Sequence, residues 1–292
     1  MLNTQREIID YCNEKGCSIA DLVLSEELKN PHQTEESLRA GLLEVLEVMK
    51  NSSHDALEKS YTTRFKMIDG FAKTFNDYRK EKETICGDFL VGAMAMAFST
   101  SETNAAMGKI AAAPTAGSAG IMPAAMSSMR IRYNLDDDTM IKGFLTSIGI
   151  GQIIGNYATF AGAEGGCQAE CGSASAMAAA AIVEMLGGTP EMALNAASIT
   201  LINVMGLVCD PIAGLVEYPC TFRNASGVMN AFISADMALA GVKSIVPFEE
   251  TVQAMGEVGH MLHESLRETG LGGIAGTKTG QAIRREFLGD NA

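Results

Sequence analysis

Four cysteines in broken backbone hold the most chemically versatile side chains of this sequence. Cys167 and Cys171 lie four apart in GGCQAECGSASA (165–176), Cys209 follows in LVCDPIAGL (207–215), and Cys220 in EYPCTFRNA (217–225). Each segment joins glycine or proline to cysteine, so each thiol is expected in irregular chain beside a helix end. Three thiolates arriving from separate loops could hold a metal ion or an iron–sulfur cluster with one corner open. The competing reading is that buried cysteines serve as small apolar residues. A closed four-cysteine zinc site is a third reading. Structural zinc usually brings tight cysteine pairs on both sides, and Cys209 and Cys220 are too widely separated for that. Cys12, Cys17 and Cys86 stand in ordinary helical contexts and read as structural.

A second candidate is GKIAAAPTAGSAG (108–120), followed by the apolar run IMPAAMSSM. Small residues leave the backbone around Thr115, Ala116, Gly117 and Ser118 accessible just ahead of a helix start, a geometry that binds a carboxylate or phosphate. Close helix packing through small side chains is the plainer alternative. It is not a nucleotide-binding P-loop, because no Gly-Lys-Ser/Thr triplet closes it. A third segment, GGIAGTKTG (272–280), either completes a pocket or turns the chain. Arg223 could clamp a carboxylate in bidentate fashion or neutralise Asp210. His260 and His263, beside Glu264, read as a solvated face rather than a metal pair.

The elements that must position these residues are helical. Residues 1–85 are charged and read as an amino-terminal helical layer packed on the same domain, with Ser18 and Thr34–Glu35 as start signals. Residues 86–292 read as an all-helical catalytic domain. Charges thin out from Phe89 to Gly241, and uncharged stretches cover 143–163, 173–183 and 192–209. The first is long enough to span a bilayer. However, its polar residues, its glycines and the lack of flanking Lys/Arg asymmetry favour a helix buried by other helices. Gly187-Gly188 closes the alanine-rich helix and Thr189-Pro190-Glu191 opens the next. Pro247-Phe248-Glu249-Glu250 opens another, expected to run through Leu262 towards Gly270. No stretch alternates with period two, so the fold class is all-α: a compact multi-helix domain with buried Ala/Gly-rich helices around the cysteine site.

Of 292 residues, 47% are hydrophobic, none is Trp, and the net charge is −13. The negative charge and the lack of a basic run exclude nucleic acid and anionic membrane surfaces as partners. The opening MLNTQREIIDYC shows no apolar leader, and seven cysteines without one suit a reducing cytoplasm.

With these segments in view, the chain resembles the α chains of iron–sulfur-dependent L-serine dehydratases. The resemblance rests on SETNAAMGKIAAAPTAGSAGIMPA, EGGCQAECGSASAMAAAA, GLVCDPIAGLVEYPCTFRNA and LRETGLGGIAGTKTGQAI, and it covers most of the chain. It implies a [4Fe–4S] cluster on Cys167, Cys209 and Cys220, with Cys171 outside the ligand set. It also implies conversion of L-serine to pyruvate and ammonia. A separate β chain would then contribute a histidine, with homodimerisation as a further assembly. In that setting the cluster's open iron is a Lewis acid for the serine hydroxyl, and backbone donors of the 115–119 turn hold the carboxylate. Lys109 is a candidate base if burial lowers its pKa; a partner's histidine is the alternative. Three departures stand out: SYTTRFKMIDG (60–70) where the family carries a GLTGGD-like stretch, Lys278 in place of a usual proline, and a GDNA ending where one-chain relatives end in a cysteine tail. Rival readings are a related lyase acting on cysteine or threonine, and a helical zinc-binding scaffold.

Overall fold

Helix caps written into the sequence set where the chain turns. A computed structural model of the chain describes residues 4–289; the first three residues of the opening and the last three of the GDNA ending lie outside the described residues. Thr4 caps α1 (Gln5–Lys15) and Ser18 caps α2 (Ile19–Glu27), each in a reciprocal box with the acid three residues on. Thr34 caps α3 (Glu35–Asp55) in the same way, with Ser37 as its partner. α4 (Phe71–Glu81) and α5 (Gly87–Ala105) follow. The glycine-rich loop then leads to α6 (Ile121–Tyr133). Asp136 caps α7 (Asp137–Tyr157), and α8 (Gly162–Gly165) is a single turn. The alanine run forms α9 (Ser173–Met185), and α10 (Pro190–Asn203) opens on the Thr189 cap with proline in its first turn. α11 (Cys220–Leu239), α12 (Phe248–Met261) and α13 (Lys278–Leu288) complete the chain. Among the described residues there is no strand, only an isolated parallel bridge between Cys209 and Arg267.

α9 lies at the centre, with every residue from Ser173 to Val183 buried. It packs against α6, α7, α10 and α11. Alanine makes this layout feasible, because a thin helix lets four neighbours approach without gaps. Around this centre α2 packs on α7, and α3 packs on α5 and α6. Ile8, Cys12, Leu42 and Leu46 belong to the same buried cluster as Ala176 and Ala231, so the charged helices bury their apolar stripe on the core formed by the rest. α1 reaches across the sequence. The Gln5 amide donates to Glu249 Oε2 at 2.9 Å, and the Phe248 amide donates to Gln5 Oε1 at 3.0 Å. No helix among the described residues is long and apolar enough to cross a membrane.

α12 stops at Met261, short of the expected Gly270. The chain straightens at Leu262 because residues 266–268 are needed elsewhere. The Cys209 amide donates to the Leu266 carbonyl at 2.9 Å, and the Glu268 amide donates to the Cys209 carbonyl at 2.7 Å. A tertiary pairing here overrides helical periodicity.

Two expectations about stability follow. An added Cβ on Gly143 of α7 would stand 2.6 Å from Met185 Cγ and 3.2 Å from the Ala181 carbonyl, whereas Gly41 on the exposed side of α3 has nothing within 4 Å. Gly143→Ala should therefore lower stability by about 1–3 kcal/mol by overpacking. Gly41→Ala should raise it by about 0.5–1 kcal/mol. Denaturant midpoints of both variants, measured side by side, check the contrast.

The second concerns pH. Glu102 of α5 is fully buried and accepts from the Ala72 amide at 2.7 Å; burial pushes its carboxyl up to about 7 from an ordinary 4.5. The folded chain thus keeps a proton that the unfolded chain has released between those values. The contribution of the neutral acid is complete below about pH 4.5 and is lost as pH rises through about 7. Glu102→Gln should flatten this slope and gain up to roughly 3 kcal/mol over the wild type above that window. Unfolding free energies measured across the window test the sign.

Candidate functional site

The first cysteine segment enters from α8. Gly166 takes a positive φ of 76°, and a single π-helical turn, Gln168–Gly172, then leads into α9. The wide turn brings Cys167 Sγ and Cys171 Sγ to 3.4 Å. Gln168 fixes the turn from inside. Its amide nitrogen donates to the Gly165 and Met255 carbonyls at 2.9 and 3.0 Å, and its oxygen accepts from the Gly206 amide at 2.7 Å. The segment bearing Cys167 is thereby tied to the chain leading into Cys209.

Cys209 is gripped through its backbone by residues 266 and 268, as described above. Next to it, buried Asp210 accepts from the Ile274 amide at 2.6 Å and pairs with Arg223. Of the two roles open to Arg223 in the sequence, the structure shows the pairing with Asp210. Its Nη1 is buried without a partner among the described residues. Glu217, between Cys209 and Cys220, accepts from Thr63 Oγ1 at 3.2 Å and from the Met67 amide at 3.3 Å. The SYTTRFKMIDG segment is thus anchored on the cysteine loop.

Cys220 opens α11, and Asn224 one turn later joins it to the glycine-rich loop. Asn224 Nδ2 donates to the Gly117 and Cys220 carbonyls, both at 2.8 Å, and its Oδ1 accepts from the Gly120 amide at 2.8 Å. Residues 115–118 form a short turn, with Ala116–Ser118 in 3-10 geometry, whose leading N–H groups have no partner within a helix. Thr115 Oγ1 donates to Glu170 Oε1 at 2.9 Å, and Cys209 Sγ lies 3.8 Å from Glu170 Oε2. An added Cβ on Gly117 would stand 2.9 Å from Glu170 Oε1, and one on Gly162 would stand 2.7 Å from Oε2 and 2.9 Å from Cys209 Sγ. Missing side chains keep the space around this carboxylate.

Glu170 did not figure among the candidate residues read from the sequence. The signal was present: it is the one charged residue between Glu164 and Glu184. Burial pushes its carboxyl up, the Thr115 hydroxyl pulls it back, and the charge of Glu268 adds to the rise.

Cys167, Cys171, Cys209 and Cys220 are all buried and unbridged. Burial, followed by the charges of Cys167 and Glu170, pushes the thiols of Cys209 and Cys220 up. Cys167 is the exception. A hydrogen bond from Cys171, opposed by burial and aided by the nearby Arg223 charge, holds it down. Among the described residues no three His, Cys, Asp or Glu side chains are grouped as ligands of a single ion. Lys109 is not part of the assembly. Its side chain is 76% exposed and its ammonium stands 3.8 Å from Glu44, so the burial expected of a base is absent. His260 and His263 are exposed, and His263 Nδ1 accepts from the Ser265 amide. A cavity of about 540 Å³ borders the site through Ile212, Tyr218 and Ile274; the larger one, about 750 Å³, lies between α3, α6 and α7 and is lined by none of the cysteines.

Residues 14–275 match the family described as serine dehydratase alpha chain. The L-serine dehydratase alpha chain of Peptoniphilus asaccharolyticus is 70% identical over 99% of both chains. A probable L-serine dehydratase alpha chain of Bacillus subtilis is 42% identical over 99% of this chain and 96% of that one. The L-serine dehydratase of Streptomyces coelicolor is 35% identical over 93% of this chain but only 60% of its own length.

Asn224 gives the site its most direct structural test. Asn224→Leu leaves the Gly117 carbonyl and the Gly120 amide without their side-chain partner and removes a second donor from the Cys220 carbonyl, and should cost about 2–4 kcal/mol. Denaturation of the cofactor-free protein measures this loss. Faster reaction of Cys220 with a thiol reagent should accompany it.

Proposed function

Because the chain belongs to the serine dehydratase alpha chain family, we propose that it is the subunit bearing the metal chemistry of an L-serine ammonia-lyase, which converts L-serine to pyruvate and ammonia. The observation behind this reading is the meeting around Glu170 of the turn 115–118 with the segments of Cys167, Cys209 and Cys220. The donor set fits an iron–sulfur group. Three buried, unbridged thiols come from three segments, and burial together with the charge of Cys167 raises the proton affinity of Cys209 and Cys220, a cost that a bound cationic iron centre would relieve. Ligands of a cluster each bind a different iron, so they need not close to the spacing of a single-ion site. A [4Fe–4S] cluster on Cys167, Cys209 and Cys220 would supply a Lewis acid to the serine hydroxyl.

The remaining steps fall to protein groups. The leading N–H groups of the turn Thr115, Ala116, Gly117 and Ser118 hold the substrate carboxylate and stabilise the charge that develops as the Cα proton leaves. Asn224 sets the position of that turn, and Arg223, bound to Asp210, holds the last glycine-rich loop and leaves Nη1 towards the site. Burial of the thiols excludes water from the reacting centre. The base comes from outside this chain. Lys109 is on the surface, and none of the four histidines, His32, His54, His260 and His263, lies in a site segment. A β chain that supplies a histidine and covers the opening accounts for both needs.

Anaerobic reconstitution tests the proposal. The wild-type chain should take up iron and sulfide and turn brown. Cys167→Ser, Cys209→Ser and Cys220→Ser should each lose most of both, and Cys171→Ser should keep them. L-Serine turnover should need the β chain and should exceed that of L-threonine and L-cysteine. A colourless protein with one tightly held zinc, or a full cluster in Cys209→Ser, would overturn the assignment.

A further inference from the structure

We propose that the Glu170 carboxylate holds the α-ammonium group of the substrate, next to the turn that takes its carboxylate. The inference deepens the serine-lyase reading above and rests on it.

Glu170 is 9% exposed, and no ion pair involving it is present among the described residues. One oxygen has the Thr115 hydroxyl as its partner, and the other faces only a thiol at 3.8 Å. The nearest positive charge acting on it is that of Arg223, which is already paired with Asp210, so this buried carboxylate has no cation of its own. Gly117 and Gly162 leave room on both sides of it, where any side chain would press on an oxygen. The absent partner is therefore small, positively charged and able to approach from the turn.

An α-amino acid meets these requirements. Its carboxylate and ammonium hang from one carbon, so their receptors must be adjacent. Here they share a hydrogen bond through Thr115, which belongs to the turn and donates to Glu170. Thr115 is half-buried and Ala116 exposed, so the turn forms the entrance with Glu170 beneath it. With carboxylate and ammonium both held, the side-chain hydroxyl of L-serine is left to face the cysteines. An amino acid of the opposite hand would direct it elsewhere. Glu170 thus acts in recognition, separately from the group that removes the Cα proton.

The test uses the anaerobically reconstituted two-chain enzyme with Glu170→Gln and Glu170→Asp. Two probes are compared: L-serine, through KM and kcat, and 3-hydroxypropanoate, which keeps carboxylate and hydroxyl but lacks the ammonium, through its inhibition constant. In Glu170→Gln the KM for L-serine should rise roughly tenfold or more, the worth of one charge-assisted hydrogen bond. Inhibition by 3-hydroxypropanoate should change little, so the enzyme's preference for the ammonium-bearing ligand shrinks by that factor. Glu170→Asp should recover part of it. With an active wild type, equal weakening of both probes, an unchanged KM, or loss of iron and sulfide from Glu170→Gln overturns the inference alone. A wild-type complex inert towards L-serine overturns the lyase reading, and this inference with it.

Discussion

A chain that leaves helical geometry inside a protein brings N–H and C=O groups to a place without water, and each must be paired there. That requirement governs the cysteine-bearing core of this protein. Gln168 pairs three backbone groups on three segments, Asn224 pairs three on two, and Asp210 holds the Ile274 amide while bound to Arg223. These side chains do for the loops what a sheet ladder would do for strands. They also set the distances between cysteines, because each staple runs from one site segment to another. The helices beneath supply rigid bases, and the small residues of α9 bring those bases close enough for single amide side chains to bridge them.

The electrostatics are uneven in an informative way. A hydrogen bond from Cys171 holds the Cys167 thiol down, with the Arg223 charge aiding it, whereas burial and then the charges of Cys167 and Glu170 push those of Cys209 and Cys220 up. The three thiols form one cradle but not an equivalent set: the Cys167 side is polarised for negative charge, and the side facing Glu170 is polarised against it. That second side borders the turn 115–118. Positive charge, whether from a metal group or an ammonium ion, is best accommodated there.

Much of the architecture was legible before any coordinates, because caps are local. Ser18, Thr34 and Thr189 each start a helix where hydrogen bonding to the next turn requires one, and the alanine run forms a helix buried on all sides. The segments that meet at the site were also visible as glycine, proline and cysteine in combination. What escaped was set by distant chain. Residues 262–268 read as helix, yet the α-helix breaks at Leu262 and only a short 3-10 turn, Glu264–Leu266, precedes the pairing with Cys209, more than fifty residues earlier. Lys109 sits in the glycine-rich segment but points to solvent and Glu44. Arg223 could be weighed between two partners but not assigned, since the choice depends on where α11 places it. Glu170 escaped because one acid among small residues has no periodicity to mark it; only its surroundings give it meaning.

The contact between Gln5 and the start of α12 bears on how the chain is made. Its two hydrogen bonds join residues 244 and 243 positions apart. A ribosome adding roughly 5–20 residues each second takes about 10–50 s to cover that interval. Throughout that time α1 has no α12 to bond with. The packing of α1 on α2 and α10 can precede this, so what waits for Phe248 and Glu249 is the polar clamp on Gln5.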